Sequence, residues 1–276
     1  MSEPFKFHSA VWYEEPESDN PFVARRCLAH GYDVYGEVIR KSSWSEYILL
    51  LFSGDKPCRQ QIVLFEKLAI ALANPGPREP SVRAAMNGGV GGSVDAASLI
   101  AALAVGAGQY GGSHEVFLLV KAWQRLGRDL SKWKEYLSDP NQGYQEDVWS
   151  PIEHPPGFDP HGVSCPTPVQ QSLSLLGDLM PESNLGWLRQ NRENLEHMTG
   201  FPLAMTAVAA AAFSDLGLSG SQSIMMYLML RLPGAAVHAL EQENLGWKKF
   251  PAYGPAIHLS DDPGAFPMPD ISRFEL

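Results

Sequence analysis

Apolar residues recur at three- and four-residue intervals along most of this chain, the spacing that gathers them on one face of an α-helix. Ser43 followed by Glu46 forms a capping-box pattern ahead of Tyr47-Ile48-Leu49-Leu50-Leu51-Phe52, and Gly54 closes the segment. That helix is apolar nearly all round and is expected to be buried. Pro57 suits a first turn, and Ile62, Leu64, Phe65, Leu68, Ile70 and Leu72 carry the next helix to Asn74-Pro75-Gly76-Pro77. Pro80 and Ser81 open a short helix through Val82 and Met86, and Asp129 to Ser138 reads as a surface helix. The pattern resumes over Val169–Leu179, Leu185–His197, Pro202–Asp215 and Ser223–Leu232. Pro233 and Gly234 are expected to interrupt it before a last helix, Ala235–Gln242. The only strand candidate is Ser9–Tyr13, so the fold class is all-α with little β structure, far above the usual one-third helix content.

The chain is organised around Gly88 to Val120. A glycine cluster opens an Ala/Leu-rich helix capped by Ser93. A second glycine turn holds Gln109-Tyr110-Gly111-Gly112-Ser113-His114-Glu115, and a further apolar helix, with Ser113 as its cap, leaves on the far side. Adjacent glycines let backbone approach a ligand closely and present free N–H groups at the next helix start; two buried helices joined by a glycine turn would look the same. Gly88-Gly89-Val90-Gly91-Gly92 has no lysine and follows no strand, so it is not a nucleotide phosphate loop.

Three stretches depart from the helical pattern. Residues 1–30 read as an irregular N-terminal segment ahead of a helical domain over 31–245. Residues 139–168 are crowded with prolines between Pro140 and Pro168, a loop length that is usually functional or disordered, and its aromatics and histidines favour function. Residues 246–276 form a Pro-rich tail. At 276 residues the chain suffices for one large core or two unequal ones. Its net charge of −10 excludes a nucleic-acid surface, although Lys248-Lys249, or Arg189 with Arg192, could meet the phosphates of a small ligand. Cys27, Cys58 and Cys165 are too few and too scattered for a disulfide framework. No signal core precedes the fold, and the longest apolar run, Leu203–Phe213, is too short for a bilayer, so the expected setting is cytoplasmic with no membrane partner.

The order and spacing of these pieces over about residues 25–245 resemble the citrate synthase superfamily, and within it the short citryl-CoA lyase-like branch. The pieces are Gly31-Tyr32-Asp33, Ser43 through Leu51, Gly54, Pro57, Pro80-Ser81, Arg83-Ala84-Ala85 and the small-residue helix ending in Gly111-Gly112. The resemblance implies a multihelical fold with a large and a small helical subdomain, the small one within about 139–200, and a homodimer. The active-site motifs are substituted. The family's His-Gly-Gly is Tyr110-Gly111-Gly112 here, and its Gly-Phe-Gly-His is Gly157-Phe158-Asp159-Pro160-His161. Its Asn-Val-Asp is Asn194-Leu195-Glu196, and Cys165-Pro166-Thr167-Pro168 stands where an Asp-Pro-Arg is expected.

Such enzymes make or break a carbon–carbon bond between a thioester's α-carbon and a keto acid's carbonyl, through an enolate. That chemistry needs a base, a donor at the thioester oxygen and a donor at the keto oxygen. By resemblance Glu196 would be the base, Tyr110 the first donor and His161 the second. The bland alternatives are a solvent-facing glutamate, a ring packed on the glycine turn and a polar loop histidine. Gln109, Gly111, Gly112 and His114 would contact the ligand, with Arg189 and Arg192 as substrate-binding candidates, although neither matches a family arginine. The keto-acid partner is therefore smaller, less charged or absent. Coenzyme A would enter as part of the substrate, with no permanently bound cofactor. His154, His161 and Asp159 match no zinc spacing, and Cys165 has no visible base beside it. The leading expectation is an acyl-CoA enzyme acting as acyltransferase or C–C lyase. The alternatives are a non-catalytic homologue that binds an acyl-CoA or a partner subunit, and a helical dimerisation scaffold.

Overall fold

The computed structural model describes residues 9–141 and 148–250. It is 63% helical, with eleven α-helices and one small sheet among the described residues. The sheet lies in the N-terminal stretch expected to be irregular. Strands β1 (Trp12–Pro16), β2 (Ala24–Ala29) and β3 (Tyr32–Asp33) form an antiparallel meander in that order, with Trp12 opposite Ala29 and Leu28 opposite Asp33. Its sequence does not alternate cleanly because the sheet lies on the surface and leaves both faces largely wet. A turn of π-helix (Val34–Val38) and the short α1 (Ile39–Lys41) lead into the helical body.

Ser43 Oγ accepts the Glu46 amide at 3.2 Å to start α2 (Trp44–Ser53), and Gly54, at φ 81°, ends it in the left-handed conformation. Of its apolar surface, Ile48, Leu49 and Leu50 are buried while Trp44 is exposed, so the helix is not buried all round. Helices α3 (Arg59–Ala73), α4 (Pro80–Val90), α5 (Asp95–Gly106), α6 (Ser113–Leu126) and α7 (Leu130–Ser138) follow. Val94 and Gly112, rather than Ser93 and Ser113, occupy the cap positions of α5 and α6. Helix α7 is not a plain surface helix: Trp133 is buried against Trp123 and Trp187.

Helices α8 (Thr167–Leu179), α9 (Asn184–Thr199) and α10 (Met205–Asp215) come next. Asp215 at the end of α10 accepts the amides of Asn184 and Leu185, which satisfies the first turn of α9. Every residue of α10 from Thr206 to Phe213 is buried, and the core around it draws Leu64 and Leu68 from α3, Val116 and Val120 from α6, Leu173 and Leu176 from α8, and Leu185 and Leu195 from α9.

The expected break at Pro233-Gly234 does not occur; α11 runs unbroken from Gly220 to Leu245. Pro233 faces solvent, where the carbonyl that loses its helical partner can turn to water, so the ring is tolerated. Gly234 lies on the opposite, buried side, where a Cβ would come within 2.6 Å of the Ala73 carbonyl oxygen. By length and composition α11 is also apolar enough to cross a membrane; its inner side packs on α3, α4, α5 and α6 and carries the buried polar residues Arg231 and Gln242.

Glycines 88 and 89 fall inside α4 and meet helices, not a ligand. A Cβ on Gly88 would sit 2.5 Å from Ser98 Oγ of α5, and one on Gly89 would sit 2.4 Å from the Ala239 carbonyl of α11. Alanine is favoured over glycine within a helix by about 1 kcal/mol, but forced overpacking costs about 1–3 kcal/mol, and here the obstacle is backbone that cannot swing aside. Gly89→Ala is therefore expected to lower the thermal midpoint by several degrees, read by circular dichroism; a midpoint at or above wild type would contradict this close approach.

Candidate active site

The turn between α5 and α6 is shaped by two glycines with different tasks. Gly111 has φ 67°, a left-handed conformation, and its Cβ position is open. Gly112 is packed so closely that a Cβ would lie 2.2 Å from the Gly108 carbonyl oxygen. From α11, Tyr227 Oη and Arg231 Nη1 both donate to the Gly111 carbonyl, at 3.3 and 3.4 Å. Arg231 also bonds Tyr227 and pairs with Glu79 Oε1 at 2.5 Å. The other oxygen of Glu79 accepts the Ser81 and Val82 amides, capping α4. Burial pushes the Tyr227 phenol up to about 12, so it remains a donor. This network fixes the Gly111–Gly112 peptide, one residue beyond Tyr110, and the Tyr110 side chain stands half-exposed over a cavity of about 610 Å³.

The far wall of that cavity is the proline-rich loop. Asn141 clamps Ile152 by two 2.9 Å bonds, and Gln109 donates to the Ser150 carbonyl at 3.2 Å. Gly157 donates its amide to Glu115 Oε1 at 2.7 Å. Its carbonyl accepts from Ala204, Phe158 bridges to Leu203 in antiparallel fashion, and Asp159 donates to the Pro202 carbonyl at 2.9 Å. The described part of the loop from residue 150 to 159 is thus tied to α6 on one side and to the entry to α10 on the other.

Tyr110, Gly111 and His161 line the same cavity, together with Glu115, Glu153, His154 and Asp159. The rest of the lining is apolar and includes Phe158, Val169, Phe201, Leu203 and Met205. Among the described residues that line it there is no lysine or arginine. His161 is exposed, its amide held by Asp159 Oδ1 at 2.9 Å.

The other residues singled out from the sequence lie elsewhere. Glu196 is not among the lining residues: Oε2 accepts from Arg192 at 2.6 Å, and Oε1 accepts the Leu203 amide at 3.0 Å. One helical turn separates Glu196 from Arg192, so the pair forms along α9, and both carboxylate oxygens are engaged in holding the chain beneath the cavity. Arg192 is shared with Glu193, and Arg189 pairs with Asp178 of α8. Gln109 is buried and serves the loop, and His114 stacks on Trp149 at 4.0 Å. Gly112 contributes close packing rather than a wall. Lys248 and Lys249 sit in a 3₁₀ turn after α11. Among the described residues no three His, Cys, Asp or Glu side chains gather as metal ligands would.

Two residues acquire weight only in three dimensions. Glu115 is 2% exposed, in the first turn of α6, where the helix N-terminus favours a carboxylate. Its Oε2 is buried with no hydrogen-bond partner among the described residues. His154 is 8% exposed, with Nε2 at 3.5 Å from Glu115 Oε1 and its ring stacked 5.7 Å from that of Tyr110. The sequence signal for Glu115 was an acid three residues into a helix, a pattern common to helix starts in general.

No family model matches the chain, and no curated protein matches its sequence. Solved structures do match in shape. Citryl-CoA lyase from Hydrogenobacter thermophilus aligns over 97% of this chain and 99% of its own, with a TM-score of 0.69 at 15% identity. An ATP citrate lyase from Methanosaeta concilii, solved with (3S)-citryl-CoA, aligns over 100% of this chain with a TM-score of 0.68 at 17% identity. The alignment spans 44% of that longer protein. Citrate synthase from Thermotoga maritima aligns over 99% of this chain and 98% of its own, at a TM-score of 0.50 and 12% identity. The molecule therefore has the fold of the citrate synthase superfamily. Within that fold it takes the citryl-CoA lyase-like form.

Two expectations follow. Burial, with the Glu196 carboxylate close by, pushes the Cys165 thiol up to about 11, so it stays protonated and unreactive at neutral pH. Iodoacetamide at pH 8 is expected to modify exposed Cys58 and spare Cys165 in the native protein; peptide mapping that found both equally labelled would contradict it. Arg231→Met removes one partner of a largely buried ion pair, which costs about 3–5 kcal/mol. Chemical denaturation is expected to show that loss, whereas a midpoint shift below a quarter of it would mean the network does not brace the turn.

Proposed function

We propose that this chain is an acyl-CoA enzyme that enolises its thioester substrate and forms or breaks a carbon–carbon bond at the α-carbon. The observation that carries this reading is the convergence of Tyr110 and His161 on one cavity in a citryl-CoA lyase-like fold. Tyr110 is assigned to the thioester oxygen, where a phenol O–H can donate a hydrogen bond to developing enolate charge. His161 is assigned to the carbonyl of the second substrate. Glu196 is assigned a bracing role, since both of its oxygens are already engaged.

The cavity also speaks to the substrates. Its three carboxylates, with no lysine or arginine among the described lining residues, would repel a second carboxylate-rich partner, which ordinarily requires guanidinium pairing. The acyl group and its carbonyl partner are therefore assigned as uncharged or singly charged, unlike citrate. The same observation favours one alternative, a non-catalytic homologue that binds an acyl-CoA without turnover.

The assembly proposed is a homodimer. Met225, Met229, Val237 and Leu240, spaced three, four or eight residues apart, make an exposed apolar stripe along α11, and Ile100 and Val105 are exposed on neighbouring α5. Exposed apolar surface of that continuity marks an interaction face.

Deuterium wash-in from D₂O into acetyl-, propionyl- and butyryl-CoA, read by mass spectrometry, tests enolisation without the second substrate. Exchange is expected with the wild-type chain. Tyr110→Phe, which deletes one donor to the enolate, is expected to slow it on the order of 10²-fold. Thioester binding without any exchange would instead favour the non-catalytic alternative over an enzyme that enolises its thioester alone.

A further inference from the structure

The turn that carries histidine in the resembling family carries Tyr110 here, and the phenol is a poor proton carrier. A histidine nevertheless stands beside it. His154 reaches the cavity from the proline-rich loop, its ring stacked on Tyr110 at a centroid distance of 5.7 Å and its Nε2 toward Glu115 Oε1 at 3.5 Å. We infer that His154 is the base that takes the α-proton of the thioester, with Glu115 as the positioning residue behind it. This inference rests on the enolisation reading above and adds the group that reading lacks.

The geometry argues for it in three ways. A thioester oxygen and its α-carbon are only two bonds apart, and proton-transfer partners act within about 2.6–3.2 Å of the atoms they serve, so donor and base have to stand side by side. Tyr110 and His154 do so. Second, the ring is 8% exposed but lines the cavity, so it is shielded from bulk water while facing the substrate volume. Third, the carboxylate of Glu115 is itself buried at 2%, and its Oε2 has no hydrogen-bond partner among the described residues. A buried carboxylate with spare acceptor capacity next to an imidazole both orients the ring and stabilises the imidazolium that forms on proton uptake.

The step balances as follows. The α C–H bond breaks, and its electron pair moves into the C–C bond as the carbonyl π pair moves onto the thioester oxygen, which Tyr110 Oη–H hydrogen-bonds. With Nε2 turned to Glu115, the proton passes to Nδ1 of His154. The resulting positive ring faces the Glu115 carboxylate. Return of that proton, after exchange with solvent, regenerates the thioester; in the synthetic direction the enolate re-forms its C=O as its C=C pair attacks the second substrate's carbonyl carbon, whose π pair moves onto its oxygen beside His161.

The other loop histidine does not meet these conditions: His161 is exposed, and its peptide is held by Asp159. Glu115 is not placed to act directly: its Oε1 is occupied by the Gly157 amide at 2.7 Å, and its Oε2, unpartnered among the described residues, is buried away from the open volume. Glutamine at 115 would keep that bond through its amide oxygen and lose only the charge, which separates loop support from the service to His154.

The test is deuterium wash-in with the same acyl-CoA panel for wild type, His154→Gln, His154→Ala and Glu115→Gln, with thioester binding by calorimetry and thermal midpoints measured in parallel. His154→Gln is expected to lose exchange on the order of 10²-fold or more, while binding and melting stay near wild type. Added imidazole is expected to restore exchange in His154→Ala, which a structural role would not allow. Glu115→Gln is expected to bind the thioester as wild type does and exchange more slowly, a rate effect without an affinity effect. Wild-type exchange rates in His154→Gln would overturn the inference and leave enolisation standing. Loss of thioester binding in that variant would make His154 a binding group and overturn it as base. A wild-type chain that exchanges nothing would overturn both readings together.

Discussion

The hydrogen bond from the Gly157 amide to Glu115 is the contact on which the site depends. It joins the first turn of α6 to a loop segment, residues 148–166, that has no helix or strand of its own to hold it. A bond between an N–H and a buried carboxylate is worth about 1.5–3 kcal/mol, more than most single contacts. The helix N-terminus stabilises the charge that makes it so. Once Gly157 is fixed, Phe158 pairs with Leu203 and Asp159 with Pro202, and the loop becomes the wall of a cavity whose opposite side is the glycine turn. Gly157 itself has φ 89°, and a Cβ there would meet Ala207 at 2.9 Å, so backbone strain and packing both reserve the position for glycine.

The second brace comes from behind. Arg231 and Tyr227 on α11 hold the Gly111 carbonyl, and Glu79 ties that arginine to the start of α4, whose Pro80 also touches the cavity. Two helices, α11 directly and α4 through Glu79, thereby brace the backbone next to Tyr110. A side chain on a glycine turn would otherwise wander, and a donor that has to meet a developing charge is useful only when it is held. The same helix shows an apolar stripe of Met225, Met229, Val237 and Leu240 to solvent, which is why it is apolar enough overall to resemble a membrane span although only its inner side packs in this chain.

The arrangement separates fold from chemistry. The backbone agrees in shape with citryl-CoA lyase over 97% of this chain at 15% identity, while the side chains at this chain's cavity are tyrosine, two histidines and carboxylates, with arginine engaged elsewhere. Packing constrains backbone paths through volume and hydrogen-bond satisfaction, and these can persist while the polar groups on the walls are exchanged.

The chain's own sequence was enough to determine most of the helices. Ser43 with Glu46, the apolar period through Leu64, Leu68 and Leu72, and the alanine run into Phe213 are local signals, and local geometry honours them. It also marked the glycine turn and the proline-rich loop as the places to look, and placed Tyr110 and His161 in them. Other features depended on contacts distant in sequence. Pro233 stays within α11 because it lands on the wet face, and Gly88 and Gly89 serve helix contacts because α5 and α11 lie against them. Glu196, by contrast, is engaged by near neighbours, Arg192 one helical turn back and the Leu203 amide seven residues on, a choice of partner that no apolar period reports. The meeting of Glu115, His154 and Tyr110 spans about forty residues, and no periodicity encodes it. Local pattern reports which face of an element is apolar; which polar group ends beside which is decided when the elements pack, because only then is water removed from between them.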